Sequence, residues 1–196
     1  MQTFKVIKAI FQTVMVLFIL GAGISPVNAE ETSTDNSAPT TSGSWILSVG
    51  GAVDFPHANW NLDYRVGIGS RAELNIPLEH DWAAGLGLGY FHYQGNDLLG
   101  PILIDELRVL PMVRYYLSEG NVSPYLSGGA GLAVQFSAVS GVITPYLNPD
   151  AFLGFGLEIH LAAREAIFVE TNYSLMLAGS ILAQDIDIVT GLRSGF

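Results

Sequence analysis

From Ser44 to Phe196 apolar side chains return at every second position, segment after segment, with glycine, polar or charged residues between them. A period of two puts alternate residues on opposite faces of a strand, so each segment reads as a strand with different surroundings on its two sides. The first, about Trp45 to Asp54, sets Trp45, Leu47, Val49 and Val53 against Ser48, Gly50 and Asp54. The second, about Arg65 to Pro77, sets Val66, Ile68, Ala72, Leu74 and Ile76 against Arg65, Gly67, Gly69, Arg71, Glu73 and Asn75. The third spans about Trp82 to Tyr93. The fourth, about Leu107 to Leu117, carries Arg108, Leu110, Met112, Arg114 and Tyr116 opposite Val109, Pro111, Val113, Tyr115 and Leu117. The fifth begins near Pro124 and carries Leu126, Ala130, Leu132, Val134 and Phe136 on its apolar face; the sixth runs from Ala151 to Leu161 and the seventh from about Ile167 to Met176. The eighth, Ile186 to Phe196, points Asp187, Val189, Gly191, Arg193 and Gly195 away from its apolar face.

An even number of segments, each of the ~9 to 11 residues that cross a bilayer at a tilt, predicts an all-β fold: an eight-stranded antiparallel up-and-down transmembrane β-barrel over residues 44–196. Closure follows from the solvent, because lipid cannot satisfy the hydrogen bonds of an open sheet edge. Hydrophobic residues make up 49% of the chain and mean hydropathy is +0.39. Past the first segment of the chain there is nonetheless no uninterrupted apolar run of the ~18 residues that a membrane helix needs. A soluble barrel of the lipocalin kind would expose these apolar faces to water, a liability. Pro111 has no N–H to give its ladder, which predicts a bulge or imperfect pairing there. Trp82 and Tyr90 share a face. At ~3.3 Å per residue and a tilt of ~40° they stand roughly 20 Å apart in height, as members of two interfacial aromatic girdles would.

Residues 1–29 read as a secretory signal peptide: Lys5 and Lys8, an apolar core from Ala9 to Leu20, and a small-residue cleavage site at Val27-Asn28-Ala29. The following EETSTDNSAPTTSG, residues 30–43, is polar and aperiodic and is predicted to be a disordered periplasmic lead-in. Export leads to a disulfide-permissive compartment, but the chain has no cysteine, so neither a disulfide framework nor a lipidated cysteine is available. The whole chain carries 8 basic and 18 acidic residues. Both lysines lie in the signal, so the remainder holds 6 and 18, a formal charge of −12. That balance excludes a basic patch for nucleic acid and would repel lipid phosphates unless divalent cations bridge them. With both termini periplasmic, the short links Leu78–Asp81, Ser118–Ser123 and Ala162–Ala166 are periplasmic turns. The longer Phe55–Tyr64, Gln94–Glu106, Ser137–Asp150 and Ala178–Asp185 then face outward as loops.

Parity alone puts Arg71, Glu73, Arg108, Arg114, Glu158, Glu170, Asp187 and Arg193 on the face away from lipid. Four cations and four anions facing a narrow lumen should pair into a salt-bridged plug, because an unpaired charge there is costly. Strands three, five and six turn mainly glycine inward, in Gly85-Leu86-Gly87-Leu88-Gly89, Gly129-Ala130-Gly131 and Gly154-Phe155-Gly156. On strands three and five the missing side chains would leave room for Arg108 and Arg114. An eight-stranded barrel is just wide enough for its own side chains, so free conduction is not expected.

Chemistry is scarce. The chain has no G-x-S-x-G, no H-E-x-x-H and no P-loop, so no enzyme, cofactor or metal site is expected. His160, Glu158, Glu170 and Ser174 fall on inward faces of neighbouring strands and are assigned structural hydrogen bonding. Asp54, His57 and Asp63 bracket the first outward link as a solvated acidic rim rather than a cation site.

The last strand, closing on an aromatic residue, resembles the C-terminal signature of bacterial outer-membrane β-barrel proteins, with Ser194 departing from the usual apolar alternation. Over about Ser44 to Phe196 the chain is similar to the small OmpA/OmpX-like barrels. That resemblance implies an integral protein of a Gram-negative outer membrane, embedded among lipid and lipopolysaccharide, whose terminal Phe196 is read by the barrel-assembly machinery. It further implies a structural, adhesive or envelope-interaction role, with any extracellular ligand held by the outward loops. The alternatives are a narrow OmpW-like channel for small hydrophobic compounds, which would need an apolar funnel at Phe91, Tyr93 and Phe152, and a lipid A-modifying hydrolase. The hydrolases of that kind carry a His-x-Ser pair where this chain reads His160-Leu161-Ala162.

Overall fold

The computed structural model describes residues 45–57, 66–94, 103–139 and 142–196. The strands are β1 (Ile46–His57), β2 (Gly67–Pro77), β3 (Trp82–Gln94), β4 (Leu103–Tyr116), β5 (Val122–Val139), β6 (Val142–Ala162), β7 (Glu165–Ala178) and β8 (Ile181–Gly195). Each pairs antiparallel with its neighbours in sequence, and β1 pairs with β8 from Ile46↔Gly195 to His57↔Gln184, closing an eight-stranded barrel. The signal and lead-in segments expected over residues 1–43 lie outside the described residues.

The two faces sort as the alternation predicts. On β6 Leu153 is 74% and Phe155 48% exposed, whereas Arg114 of β4 and Glu170 of β7, which point inward, are each 1% exposed. Every strand presents large apolar side chains outward. A sheet with an ionic interior and an apolar exterior is stable only where hydrocarbon replaces water outside. Aromatic residues mark both ends of the wall. Trp82 packs on Tyr115 with ring centroids 4.9 Å apart, and Phe55 and Tyr173 both stand opposite Ile186.

Both barrel termini and three tight connections lie at one end, called here the terminal end. In the β2–β3 connection Leu78 N–H donates to the Trp82 carbonyl at 2.7 Å across a three-residue loop, and His80 (φ 57°) and Asp81 (φ 64°) both adopt the left-handed conformation, uncommon for residues other than glycine. The opposite, hairpin end corrects the sequence reading. Ser137–Asp150 and Ala178–Asp185 are mostly strand rather than loop. β5 and β6 stay paired as far as Val139↔Val142, and β7 and β8 as far as Ala178↔Ile181, turning through Gly179 at φ 63°. The backbone ladder continues there whatever the side chains are. What ceases is the alternation of residue type: Asn148, Asp150, Ala183 and Asp185 are still turned inward and buried, but apolar and polar residues no longer segregate by face. β1 likewise continues to His57 and β3 to Gln94, and β4 already begins at Leu103, inside the span taken for a loop.

Pro111 causes no bulge. Register with β3 runs straight through Leu86↔Pro111, and on the β5 side Leu110 and Pro111 lack partners between Val109↔Leu132 and Met112↔Gly129, the imperfect pairing expected of a residue without an N–H.

Candidate functional site: the charged interior

The inward glycines act one step removed from the expected way. A Cβ at Gly156 would strike the ring of Tyr125, one at Gly129 the ring of Phe152, and one at Gly69 the ring of Phe91. The glycines thus let aromatic rings lie flat across neighbouring strands, a recognised way of rescuing bare backbone in a sheet. The arginines stack on those rings. Arg114 lies 4.5 Å and Arg193 5.3 Å from the Tyr125 centroid, Arg71 4.8 Å from Phe152, and Arg108 4.7 Å from Phe91, while Arg193 also covers Phe168 at 4.9 Å. Desolvated cation–π contacts of this kind contribute about 2 kcal/mol each. Room for Arg108 and Arg114 therefore comes from glycine, then ring, then guanidinium, rather than from glycine directly.

All eight residues predicted for the lumen are buried, and the structure gathers them into two layers. Toward the terminal end Arg114 Nη2 donates to Glu73 Oε2 at 2.8 Å and Glu170 Oε2 at 3.2 Å. Arg71 pairs with the other oxygens of the same two glutamates, Nε–Glu73 Oε1 at 2.9 Å and Nη1–Glu170 Oε1 at 3.2 Å. Arg193 pairs with Glu158 and donates through Nε to Ser48 Oγ at 2.8 Å. Three guanidinium groups thus meet three carboxylates, and this layer is neutral.

The second layer is not balanced. Arg108 stands alone among Glu106, Asp185 (2.8 Å), Asp54 (3.1 Å), Asp150 (3.6 Å) and Asp187 (3.8 Å). Tyr93 donates to Asp54 at 2.8 Å, Asn172 to Asp187 at 2.7 Å and Gln135 to Glu106 at 2.7 Å. Four of these carboxylates, Asp54, Glu106, Asp150 and Asp185, are absent from the predicted network. Asp54 had been placed on the right face but assigned to a rim, and the other three closed segments taken for outward loops. Continued parity along β4, β6 and β8 was the signal that could have found them. The equality of four cations and four anions is thereby corrected: the described lumen holds four arginines and eight carboxylates.

The histidine constellation does not assemble. Ser174 accepts from Arg108 at 3.4 Å and Glu170 belongs to the other layer. His160 Nε2 lies 3.3 Å from Ser123 Oγ and 3.8 Å from Glu158 Oε1, so hydroxyl and carboxylate share one ring nitrogen, whereas a relay places them on opposite ones. His92 faces outward, with Nδ1 2.8 Å from Asp105 Oδ1, which also accepts from Tyr90 at 2.7 Å. Asp63 lies outside the described residues.

No family model and no curated protein sequence matches the chain. Solved structures do. Neisserial surface protein A superposes with a TM-score of 0.64 at 12% identity, covering 78% of this chain and 97% of that one. The outer membrane protein OprG of Pseudomonas aeruginosa gives 0.53 at 16% over 82% and 97%. Ail, the attachment invasion locus protein of Yersinia pestis, gives 0.52 at 15% over 77% and 98%. At these identities the likeness is one of fold.

Proposed function

We propose that this chain, which has the fold of small eight-stranded outer-membrane barrels, is an integral outer-membrane protein whose wall neither conducts nor catalyses and whose work is done at the hairpin end, as a structural, adhesive or envelope-interaction surface. The observation that carries the reading is the closed interior: the four lumen arginines are all 5% exposed or less and span both charged layers. Phe91, Tyr93 and Phe152, which a route for hydrophobic compounds would need open, are buried; Phe91 and Phe152 lie beneath arginines, and Tyr93 is hydrogen-bonded to Asp54. The terminal end, with its short turns, faces the periplasm in this reading, and the β5–β6 ribbon projects outside.

That ribbon supports a contact role. Leu147 is 64% exposed and Tyr146 53%, on opposite faces, and large side chains this exposed suit a protein or lipid surface. Two experiments test the reading. Refolded protein in planar bilayers should show no resolved channels, and stable openings of appreciable size would overturn the closed interior. Single cysteines at Tyr146 and Leu147 should label from outside intact cells and crosslink to envelope or partner components. Labelling only after the outer membrane is breached would reverse the orientation.

A further inference from the structure

The imbalance between the two layers has a chemical consequence. Arg108 already spends its donors on Glu106, Asp54, Asp185, Ser174 and Tyr93. Five carboxylates against one guanidinium leave a formal charge of −4 in that layer, and Asp54 and Asp187 stand directly opposite each other in the β1–β8 ladder. Like charges in that relation repel, and the one cation near both is Arg108, which three further carboxylates share.

Two independent observations point to a missing cation. One oxygen from each of Asp54, Asp185 and Asp187 lies within 4.8 Å of the other two. Oxygens bound to one Ca2+ sit on a sphere of ~2.4 Å radius and so are at most ~4.8 Å apart, which this set satisfies. Separately, Asp54 Oδ1, fully buried within the trio, has no hydrogen-bond donor among the described residues, and Asp150, 3% exposed, has no side-chain donor nearer than Arg108 Nε at 3.6 Å. Buried anionic oxygens without donors are costly, and a hard divalent ion satisfies several at once.

We propose that Asp54, Asp185 and Asp187, backed by Asp150, bind one oxygen-preferring divalent cation, with Ca2+ the best fit, in the hairpin-side layer of the lumen. The ion and Arg108 then share five carboxylates as two cations, where the terminal-side layer uses three arginines for three. An ammonium or guanidinium group from outside is excluded by enclosure, since all three ligands are 4% exposed or less. The all-carboxylate donor set disfavours Zn2+ and other metals that prefer nitrogen or sulfur.

The test uses the full refolded chain in detergent, stripped with chelator and titrated with Ca2+, with retention of the folded, fast-migrating gel form on heating as readout. Wild type should gain thermal stability with Ca2+, and Asp185→Asn/Asp187→Asn should not. In chelator the double variant should be at least as stable as wild type, because repulsion has been removed. Tb3+ supplies a second readout: excited through Tyr93, whose hydroxyl bonds Asp54, it should luminesce in wild type, lose at least tenfold in the double variant, and lose sensitisation in Tyr93→Phe, which keeps its Ca2+ response. A wild type indifferent to Ca2+, or luminescence equal in wild type and double variant, overturns the site.

Discussion

Replacing Arg114 with methionine isolates the charge in the terminal-side layer, because the new side chain still covers the Tyr125 ring while the guanidinium is lost. Glu73 and Glu170 would then share Arg71, with only the longer 3.9 Å contact from Arg193 Nη2 to Glu73 besides, and the layer would go from neutral to −1. Two unit charges ~4 Å apart at an effective dielectric of ~20 attract by about 4 kcal/mol, and desolvation of the guanidinium returns part of that. Removing one partner of a buried ionic set costs about 3–5 kcal/mol, and we expect Arg114→Met within that range. At ~1.4 kcal/mol per decade this is a factor of roughly a hundred to several thousand in the folding equilibrium. Adding Glu73→Gln restores neutrality, so the double variant should cost less than the two single changes together by at least ~1 kcal/mol. Reversible urea unfolding in lipid vesicles, followed by tryptophan fluorescence, measures all three. Arg114→Met costing under ~1 kcal/mol, or strict additivity, would refute the idea that the interior is held by charge pairing.

Three further outcomes follow from the same architecture. Ile188→Arg, at the centre of β8 and facing outward, should cost about 2–4 kcal/mol in vesicle-refolded protein; a neutral effect would mean that this face does not meet hydrocarbon. Gly156→Val should lose about 1–3 kcal/mol through collision with Tyr125 and recover in part when combined with Tyr125→Leu, as urea midpoints will show; no recovery would place the strain elsewhere. Deleting Phe196 should lower the folded fraction in cells while leaving refolding into pure vesicles unchanged. An equal loss in both would make the residue structural rather than an assembly signal.

The barrel was legible because lipid imposes one rule on every strand: Leu153 and Phe155 out, Gly154 and Gly156 in, for as long as the strand is in the bilayer. The rule fades where the strand leaves it. Asn148, Pro149 and Asp150 look like a loop by residue type, yet Asp150 is still in register with Gly131 and Met176 and still points at Arg108. Asp185 and Glu106 were hidden in the same way. Parity also shows which way Gly129 and Gly156 face but not that rings from other strands cross over them, because tilt and stagger decide which strands meet side by side. The sequence thus contained the sign of each interior charge without its layer. The excess of carboxylates emerged only once β4, β6 and β8 were seen to run past their predicted ends.

The central claim is that apolar side chains meet lipid while ionic ones fill the middle. With no native cysteine to interfere, single spin-labelled cysteines can be walked along β7 from Ile167 to Leu175 in bilayers, reading contact with oxygen dissolved in lipid against contact with a water-soluble nickel chelate. Labels at Ile167, Val169, Thr171, Tyr173 and Leu175 should meet oxygen, and those at Phe168, Asn172 and Ser174 should be shielded from both reagents. The opposite phase, or high nickel contact along the first set, would contradict the account.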